Sequence, residues 1–205
     1  MKITKSVFNP EFQHNTVTGK LVVALERIAE SFRVLQWNEC KQYGLSPIQV
    51  QLLIFMHTHP PRHCTVSYLA MEFNMTKATI SDAIRVLLEK KIIRREKSPA
   101  DNRSFTLSLT NKGKLLTEKL SAYANPLLEP LEKLNSREKE TLLTGMLKLI
   151  YELHQSNILT IQRMCFTCRY YKTKQNSDDH YCSLLQTKLK KEDLRIDCPE
   201  HEYAA

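Results

Sequence analysis

The fold of this chain is decided by residues 76–113, TKATISDAIRVLLEKKIIRREKSPADNRSFTLSLTNKG. The first part carries apolar residues at helical spacing on one face: Ile80, Ile84, Leu87 and Leu88. After Lys91 the apolar period changes to two, which predicts strands at 92–96 and 105–109. The segment 98–104 between them, SPADNRS, consists of turn formers. The whole stretch therefore predicts a helix followed by a β-hairpin.

A shorter helix precedes this one. Residues 65–73, TVSYLAMEF, predict a short helix, and a turn around Asn74 and Met75 leads into the longer helix. The outer face of the longer helix is small and polar, with Ala78, Ser81, Asp82 and Arg85. Two helices joined by a short turn, the second with such a face, are typical of a helix-turn-helix. Together with the hairpin, the unit predicts a winged helix-turn-helix.

Two helices are expected before this unit. Apolar residues alternate at spacings of four and three and predict a long helix over about Thr18–Tyr43, with a stripe of Leu21, Leu25, Ile28, Phe32 and Leu35. Gly44 is placed to end it, as a glycine beyond a helix C-terminus does. Ser46, Pro47 and Gln49 then form a helix start with a capping box, which predicts a buried helix to about Thr58.

Two further helices are expected after the hairpin. Thr110 caps the first, whose inner side is predicted to carry Leu115, Leu116, Leu120 and Tyr123. Pro126 and Pro130 interrupt or kink the chain. Asn135 and Ser136 begin a last long helix with the stripe Leu142, Met146, Leu149 and Leu153. The expected fold class is mostly α, a winged helix-turn-helix between long terminal helices, followed by a small cysteine-rich C-terminal module.

Composition limits the class of protein. The chain has 205 residues, enough for one ordinary domain and a small appendage, and 42% of them are hydrophobic. The net charge of +8 favours a polyanionic partner. No apolar run approaches the roughly 20 residues that span a bilayer, and the first residues lack the apolar core of a secretion signal. We therefore expect a cytoplasmic protein with reduced thiols and no membrane partner.

The order of elements and the hairpin residues resemble the MarR family of bacterial regulators over residues 17–156. The most specific stretch is LLEKKIIRREKSPADNRSFTLSLTNKG, residues 87–113. It contains the family's Asp-x-Arg turn at Asp101–Arg103 and its Leu-Thr-x-x-Gly ending at Leu109–Gly113. Lys91 departs from the glycine that is usual there. The resemblance implies a homodimer in which the first and last helices of each subunit pack together and serve as dimerisation helices.

The same resemblance directs attention to candidate DNA contacts. The N-terminal half of the recognition helix would enter the major groove and contact phosphates or bases through Thr76, Lys77, Ser81, Asp82 and Arg85. Arg103 at the wing tip suits a minor groove, with Asp101 supporting the turn. Arg94, Arg95 and Lys97 would contact flanking phosphates. The alternatives are a solvated helix face and an ion pair that only stabilises the turn.

The C-terminal region has a different character. Four of the six cysteines follow residue 164, with the spacing Cys165-x2-Cys168-x13-Cys182-x15-Cys198. A segment of this size lacks the core to fold without a staple, and four thiolates are enough to bind one metal centre. We therefore divide the chain into a winged-helix and dimerisation domain, residues 1–158, and a metal-binding or iron–sulfur module, residues 159–205.

The spacing of the cysteines favours a [4Fe–4S] cluster over zinc. Zinc ribbons usually supply two Cys-x2-Cys pairs, and only one is present here. One pair with two isolated cysteines resembles high-potential iron–sulfur proteins and the small iron–sulfur subunits of some glycyl-radical enzymes. In such proteins aromatic side chains shield the cluster, and the candidates here are Phe166, Tyr170, Tyr171 and Tyr181. Zinc stays the alternative, and a module without metal is a third possibility.

A second group of possible ligands occupies one loop. His57, His59, His63 and Cys64 follow one another closely. Their spacing matches no common metal site, and prolines stiffen the loop.

The functional hypothesis is a transcriptional regulator and not an enzyme. It would bind a pseudo-palindromic operator in double-stranded DNA as a homodimer, most simply as a repressor, under the control of the iron–sulfur cluster. One alternative is a metal-free or structural-zinc regulator that responds to a small-molecule or redox effector. An electron-transfer or enzymatic iron–sulfur protein is less favoured, because the chain has no glycine-rich phosphate loop and no catalytic motif.

Overall fold

A computed structural model describes residues 6–13, 16–97, 105–173 and 179–204. The fold is mostly helical, and it contains a two-stranded sheet β1–β2 and a three-stranded antiparallel sheet β3–β4–β5. The helices are α1 Pro10–Gln13, α2 Val17–Tyr43, α3 Pro47–Thr58, α4 Val66–Glu72, α5 Lys77–Glu89, α6 Asn111–Leu120, α7 Leu128–Glu132 and α8 Ser136–Gln155. The strands are β1 Ile93–Lys97, β2 Phe105–Leu109, β3 Tyr171–Thr173, β4 His180–Cys182 and β5 Thr187–Leu189. The predicted fold class, a mostly α winged helix-turn-helix, is confirmed.

The helix ends follow the predicted capping signals. Gly44 closes α2 in the left-handed conformation with φ of 59°, where a side chain would be strained. At the start of α3 the Ser46 hydroxyl accepts from the Gln49 amide, and the Gln49 side chain accepts from the Ser46 amide. Asn135 and Glu138 form the same reciprocal pair at the start of α8. These local signals explain why the helix boundaries could be read from the sequence.

The core of the winged helix is built around α3. Its residues Val50, Leu52 and Leu53 are fully buried, as predicted for this helix. They belong to one cluster with apolar residues of α4, α5, both wing strands and α6, including Leu69, Ile80, Ile84, Leu87, Ile93, Leu107, Leu109 and Leu120. Burial of this cluster fixes the angle at which α5 leaves the core, which positions the outer face of the helix.

The first wing strand begins one residue later than the sequence predicts, and the second begins at Phe105 as predicted. Ile92 lies in the turn after α5, where its amide donates to the Leu87 carbonyl at 3.0 Å. Lys91 before it has a φ of +55°, which explains why a glycine is favoured at this position. β1 then pairs antiparallel with β2, Ile93 opposite Leu109 and Lys97 opposite Phe105.

Helix α6 packs against the base of the wing, and its predicted inner side is correct except at Leu115: Leu120 is buried, Leu116 packs against the core and Tyr123 is half-buried. A Cβ atom on Gly113 would lie 2.1 Å from the Ile92 carbonyl oxygen, so only glycine permits this approach. The buried face is Gly113, Thr117 and Leu120, while Leu115 is 63% exposed. The prediction that Leu115 faces inward is therefore wrong, because the glycine contact, and not the leucines, sets the rotation of the helix.

The terminal helices expose apolar side chains in the single chain. On α2 these include Leu21, Ile28, Phe32 and Trp37, and on α8 they include Leu142 and Leu149. Over the described part of the chain, no helix is both long and apolar enough to cross a membrane.

The region after α8 folds onto this helix. Met164 and Leu194 form a small buried cluster with Leu147 of α8. A backbone bridge between Cys168 and Tyr203 brings the end of the chain back to the first cysteine pair. We call residues 160–204 the cysteine module.

Candidate nucleic-acid interface and cysteine centre

Helix α5 presents an exposed polar face from a buried apolar base. Ile80, Ala83, Ile84 and Leu87 are buried, whereas Thr76, Lys77, Ser81, Asp82 and Arg85 are exposed. Thr76 is the N-cap, and its hydroxyl accepts from the Thr79 amide at 3.1 Å. The structure thus brings together on one surface all the residues predicted on this helix. Thr76 also has a structural task, because it satisfies an amide at the helix start.

Asp82 and Arg85 form an ion pair one turn apart on this face. The guanidinium lies 3.0 Å from the carboxylate, and both side chains are about two-thirds exposed or more, at 68% for Arg85 and 72% for Asp82. An exposed pair of this kind adds little stability. Its effect is to hold the Arg85 guanidinium over the outer face, where a base or phosphate would be contacted.

The wing strand divides its three basic residues between two faces. Arg94 lies 2.7 Å from the Glu96 carboxylate and also donates to the Ser108 hydroxyl at 3.1 Å. The Ser108 hydroxyl in turn donates to the Glu96 carboxylate at 2.7 Å. The hydrogen bonds that Glu96 accepts, the larger effect from Ser108 and the smaller from Arg94, lower its pKa. Alternation along β1 places Arg95 and Lys97 on the opposite face, both exposed. Arg94 is therefore partly neutralised, while Arg95 and Lys97 form a separate basic edge.

The predicted wing-tip residues cannot be placed. Asp101 and Arg103 lie outside the described residues, between Lys97 and Phe105. Their assignment as turn support and minor-groove contact stays a prediction from the sequence.

The four cysteines of the module line one cavity. Cys165, Cys168, Cys182 and Cys198 surround a space of about 40 Å³, although they come from four separate points of the segment. The remaining wall is supplied by Tyr171, Leu185, Leu189, Asp193 and Arg195. The structure therefore brings together the complete predicted ligand set.

Arg195 contacts two of the sulfur atoms. Its backbone amide donates to Cys165 Sγ at 3.3 Å, and its guanidinium donates to Cys198 Sγ at 3.6 Å. Burial raises the pKa of the Cys165 thiol, the Arg195 amide opposes this, and the charges of the other three cysteines raise it further. A cation bound in the cavity would oppose this effect and favour the thiolate form of Cys165.

The four thiols around the cavity are a possible donor set for a zinc ion or for an iron–sulfur cluster. The sulfur ligands of one zinc ion lie within about 4.6 Å of one another, because each Zn–S bond is about 2.3 Å long. Throughout the described ranges, no three His, Cys, Asp or Glu side chains are arranged closely enough to hold one metal ion. An iron–sulfur cluster would be held by the same four thiols, each binding at a separate corner.

The predicted aromatic shield is only partly formed. Tyr171 lines the cavity, and Phe166 packs behind it with ring centres 5.5 Å apart. Tyr170 instead donates its hydroxyl to Glu202 at 2.8 Å, and Tyr181 is exposed. Leucines complete the wall, because the turn between β4 and β5 brings Leu185 over the site.

The histidine-rich loop, residues 57–64, contacts the cysteine module through His59. His59 stacks on Phe55 with ring centres 3.8 Å apart and lies 2.9 Å from the Asp197 carboxylate. His63 stacks on Tyr68 at 4.4 Å. Cys64 is buried in the core, and burial raises its pKa to about 11. These contacts are structural and do not resemble a metal site.

Sequence reasoning missed Arg163 and Arg195. Arg163 is only 8% exposed and binds the Glu72 carboxylate of α4 and the Asp197 carboxylate of the module, at 2.6 and 2.7 Å. A lone arginine in a connecting segment carries no signal of its own. For Arg195 a signal was available, since it lies three residues before Cys198.

Comparison with known proteins agrees with this geometry. The sequence model of the MarR family matches residues 43–104, which extend from the end of α2 to the wing. A search of curated proteins gave no significant match. The chain is similar to Staphylococcus aureus MepR in its DNA-binding conformation, with 22% identity, a TM-score of 0.57, and coverage of 65% of this chain and 98% of MepR.

Two further structures of the same protein give similar values. For the MepR–DNA complex the identity is 22%, the TM-score 0.56 and the coverage 64% of this chain and 97% of that one. For the structure of MepR described as a transcription regulator of the multidrug efflux pump MepA, the identity is 21% and the TM-score 0.51, with coverage of 67% of this chain and 98% of that one. These likenesses establish a winged-helix fold of the MarR type. About a third of this chain has no counterpart in these structures.

Proposed function

We propose that this chain is a dimeric DNA-binding transcriptional regulator. The observation that carries the proposal is the two-faced helix α5, whose apolar side is buried while Lys77, Ser81 and Arg85 are exposed. The match of residues 43–104 to the MarR family and the likeness to MepR in its DNA-binding conformation support the same function. The family is one of regulators, so an enzymatic role has no support from the fold.

The exposed apolar side chains of α2 and α8 support a homodimer. Leu21, Phe32 and Leu149 are large apolar groups that a second copy would remove from water. A two-fold dimer presents two α5 helices and reads a two-fold related DNA sequence, with half-sites roughly 10 bp apart. Binding over a promoter would exclude polymerase, so repression is the simpler mode.

The test is selection of bound duplexes from a random-sequence DNA library. We expect a pseudo-palindromic consensus whose binding weakens steeply with salt, because Lys and Arg displace counterions from phosphates. On the selected duplex, Arg85→Ala should cost about 1–3 kcal/mol of binding free energy. Lys133→Ala is the matched control, because Lys133 is equally exposed (71%) and also pairs with a carboxylate one turn away.

Two outcomes would contradict the interface. One is a protein that enriches no sequence and binds random DNA with no preference. The other is an equal loss for Arg85→Ala and Lys133→Ala, which would show that only net charge matters. Arg103→Ala on the same duplex tests the wing tip, where the same loss of about 1–3 kcal/mol is expected.

We further propose that Cys165, Cys168, Cys182 and Cys198 hold a [4Fe–4S] cluster. The shared apolar cavity and the Arg195 hydrogen bonds to Cys165 and Cys198 support this, and zinc is the alternative. Such a cluster supplies one-electron redox chemistry and sensitivity to oxidants. Anaerobically purified protein should contain iron and sulfide and show a broad absorption band at about 400 nm. Zinc in equimolar amount with no visible absorption would select the alternative.

A cavity beside α2 supports the alternative of small-molecule control. It has a volume of about 440 Å³. Its lining consists of the apolar residues Val34, Trp37 and Pro47 and the polar residues Glu30, Arg33, Gln36 and Asn38. A regulator that responds to a small effector without metal would keep its DNA affinity after removal of iron or zinc. The same binding assay on chelated protein therefore separates the two modes of control.

A further inference from the structure

Arg163 joins the cysteine module to the helix-turn-helix. Its guanidinium donates to both oxygens of Glu72, at 2.6 and 3.1 Å, and to both oxygens of Asp197, at 2.7 and 3.0 Å. It also donates to the Tyr68 hydroxyl at 3.1 Å and lies over the Phe55 ring. We call Arg163, Glu72, Asp197 and Tyr68 the Arg163 junction. It connects α4, the first helix of the helix-turn-helix, with the end of the module.

The junction is stable only while both carboxylates are in place. Arg163 is buried and Glu72 is half-buried, with 9% and 15% of their side-chain surface exposed, whereas the Asp197 side chain is 45% exposed. A buried charge that loses a partner is left uncompensated, which is strongly unfavourable. Burial lowers the pKa of Arg163, but the hydrogen bonds that it donates to the Glu72 and Asp197 carboxylates raise the pKa by more, so the group stays charged. Withdrawal of Asp197 would therefore release Arg163 toward water and loosen its hold on Glu72.

The position of Asp197 depends on the cysteine centre. Asp197 precedes Cys198, whose backbone amide donates to the Arg163 carbonyl at 2.9 Å. Arg195, on the other side, contacts the sulfurs of Cys165 and Cys198. The segment 195–198 thus has one end in the cysteine cavity and the Asp197 carboxylate in the junction. A change in how Cys198 is held must move Asp197, because only one peptide unit separates them.

Helix α4 passes such a change to α5. It is a short helix, Val66–Glu72, and its buried Leu69 and Ala70 belong to the same core cluster as Ile80 and Ile84 of α5. The Thr160 hydroxyl donates to the Met71 carbonyl, so the module contacts the end of α4 at a second point. The module contacts α8 through apolar packing on Leu147 and through an ion pair between Lys191 and Glu140, and neither contact involves Asp197.

We propose that the Arg163 junction couples the state of the cysteine centre to the order of α4, and through α4 to the placement of the recognition helix α5. This inference rests on the proposed function, because it assigns the control of that DNA-binding surface. With Cys198 held, Arg163 binds both carboxylates and α4 is fixed. When Cys198 is released, Asp197 withdraws and α4 becomes less ordered.

Hydrogen exchange of the full-length protein tests the coupling. Amides of residues 66–72 are followed in anaerobically purified protein before and after metal removal with a chelator, and in Cys198→Ser. We expect roughly tenfold faster exchange in α4 in both cases. Unchanged exchange in α4 after either treatment would overturn the proposal, whether or not the protein contains metal.

Glu72→Gln breaks the junction from the winged-helix side, because it removes one of the two carboxylates of Arg163 and leaves the four cysteines unchanged. We expect unchanged metal content, exchange in α4 that is already fast, and no further response to the chelator. Arg163→Gln should show the same α4 behaviour. Arg169→Gln is the matched control, because it removes a module arginine whose exposed partner is Glu202 and which has no contact with α4 in the described structure. It should respond to the chelator as the wild type does.

DNA affinity separates this proposal from the proposed function. If the wild type selects no DNA sequence, the proposed function fails, and the exchange data still decide the coupling. Suppose that the wild type binds DNA in a metal-dependent manner. If the DNA affinities of loaded and chelated Glu72→Gln then differ by the same ratio as those of the wild type, the coupling is wrong and the proposed function stands. Loss of that ratio in Glu72→Gln, but not in Arg169→Gln, supports both.

Discussion

The winged helix and the cysteine module reach a defined structure by different physical means. The winged helix buries a large continuous apolar cluster contributed by α3, α4, α5, α6 and both wing strands. Among its described residues the module buries two apolar side chains, Met164 and Leu194, which pack on Leu147 of α8. Its strands have three residues each, too short to be stable alone. We therefore expect the module to depend on its neighbours and on the proposed metal centre.

The cysteines themselves illustrate the contrast. Cys40 and Cys64 lie in the winged-helix core with 2% and 1% of their surface exposed. Burial raises the pKa of both, to about 11 for Cys64. These two thiols behave as small apolar side chains. The four module cysteines are only partly buried and surround a common cavity, as the proposed metal centre requires.

The largest effect is expected from removal of one module ligand. Cys165→Ser should release the metal centre and unfold residues 160–204, because metal binding supplies the folding free energy of a segment with so little core. Limited proteolysis should cut this region and leave the winged helix intact. The four-ligand site predicts the same result for Cys168→Ser, Cys182→Ser and Cys198→Ser.

Cys64→Ala provides the control and should keep its full metal content. In chelated wild-type protein, thiol labelling near neutral pH should modify the module cysteines and spare Cys40 and Cys64, because these two are buried and burial raises the pKa of both, to about 11 for Cys64. If the module stays resistant to protease without metal, it does not need a metal centre to fold. The proposed difference from the winged helix, which is stabilised by its apolar core, is then wrong.

The next effect is expected in the apolar core. Leu53→Ala should lower the free energy of unfolding of the winged helix by about 2–5 kcal/mol, because it leaves a cavity at a fully buried site. Urea denaturation followed by circular dichroism measures this loss. Leu115→Ala, at a 63% exposed position, should change it by less than about 0.5 kcal/mol. A large effect at Leu115 would instead place this residue in an interface between subunits.

A smaller effect is expected at the start of α8, the helix that both regions share. Asn135→Ala removes a side chain that accepts from the Glu138 amide at 3.0 Å and should cost about 0.5–2 kcal/mol. Thr141→Ala is the comparison, because its exposed hydroxyl only donates to the Arg137 carbonyl within the helix. The substitution is measured with and without metal. If Asn135→Ala costs no more free energy of unfolding in the chelated protein than in the loaded protein, α8 is not stabilised by the module.

The smallest effect is expected at the end of α5. Lys91→Gly should stabilise the winged helix by up to about 1 kcal/mol, because Lys91 has a φ of +55° and glycine adopts this conformation without strain. Lys90→Gly should have the opposite sign, since Lys90 has the ordinary right-handed conformation with φ of −73°. Thermal unfolding of the two variants measures the difference, and an equal change in both would exclude backbone strain as the cause.

The sequence alone was sufficient for the winged helix because its signals are local. Capping residues such as Ser46 and Asn135, the left-handed Gly44 and the change of apolar period after Lys91 each act within a few residues. The four cysteines were found in the same way, because their spacing needs no knowledge of the fold. The inward placement of Leu115 failed, since the close approach of Gly113 to Ile92 is a tertiary contact.

Only the tertiary structure decided how the two regions meet. Arg163 and Glu72 are separated by 91 residues, and no pattern in the sequence links them. Their pairing exists because the chain returns from α8 across the end of α4, and a buried guanidinium must find carboxylates there. The same holds for Arg195, whose contacts with two sulfurs depend on the closure of the module. Local preferences determine the elements, while long-range electrostatic and packing contacts determine their connection.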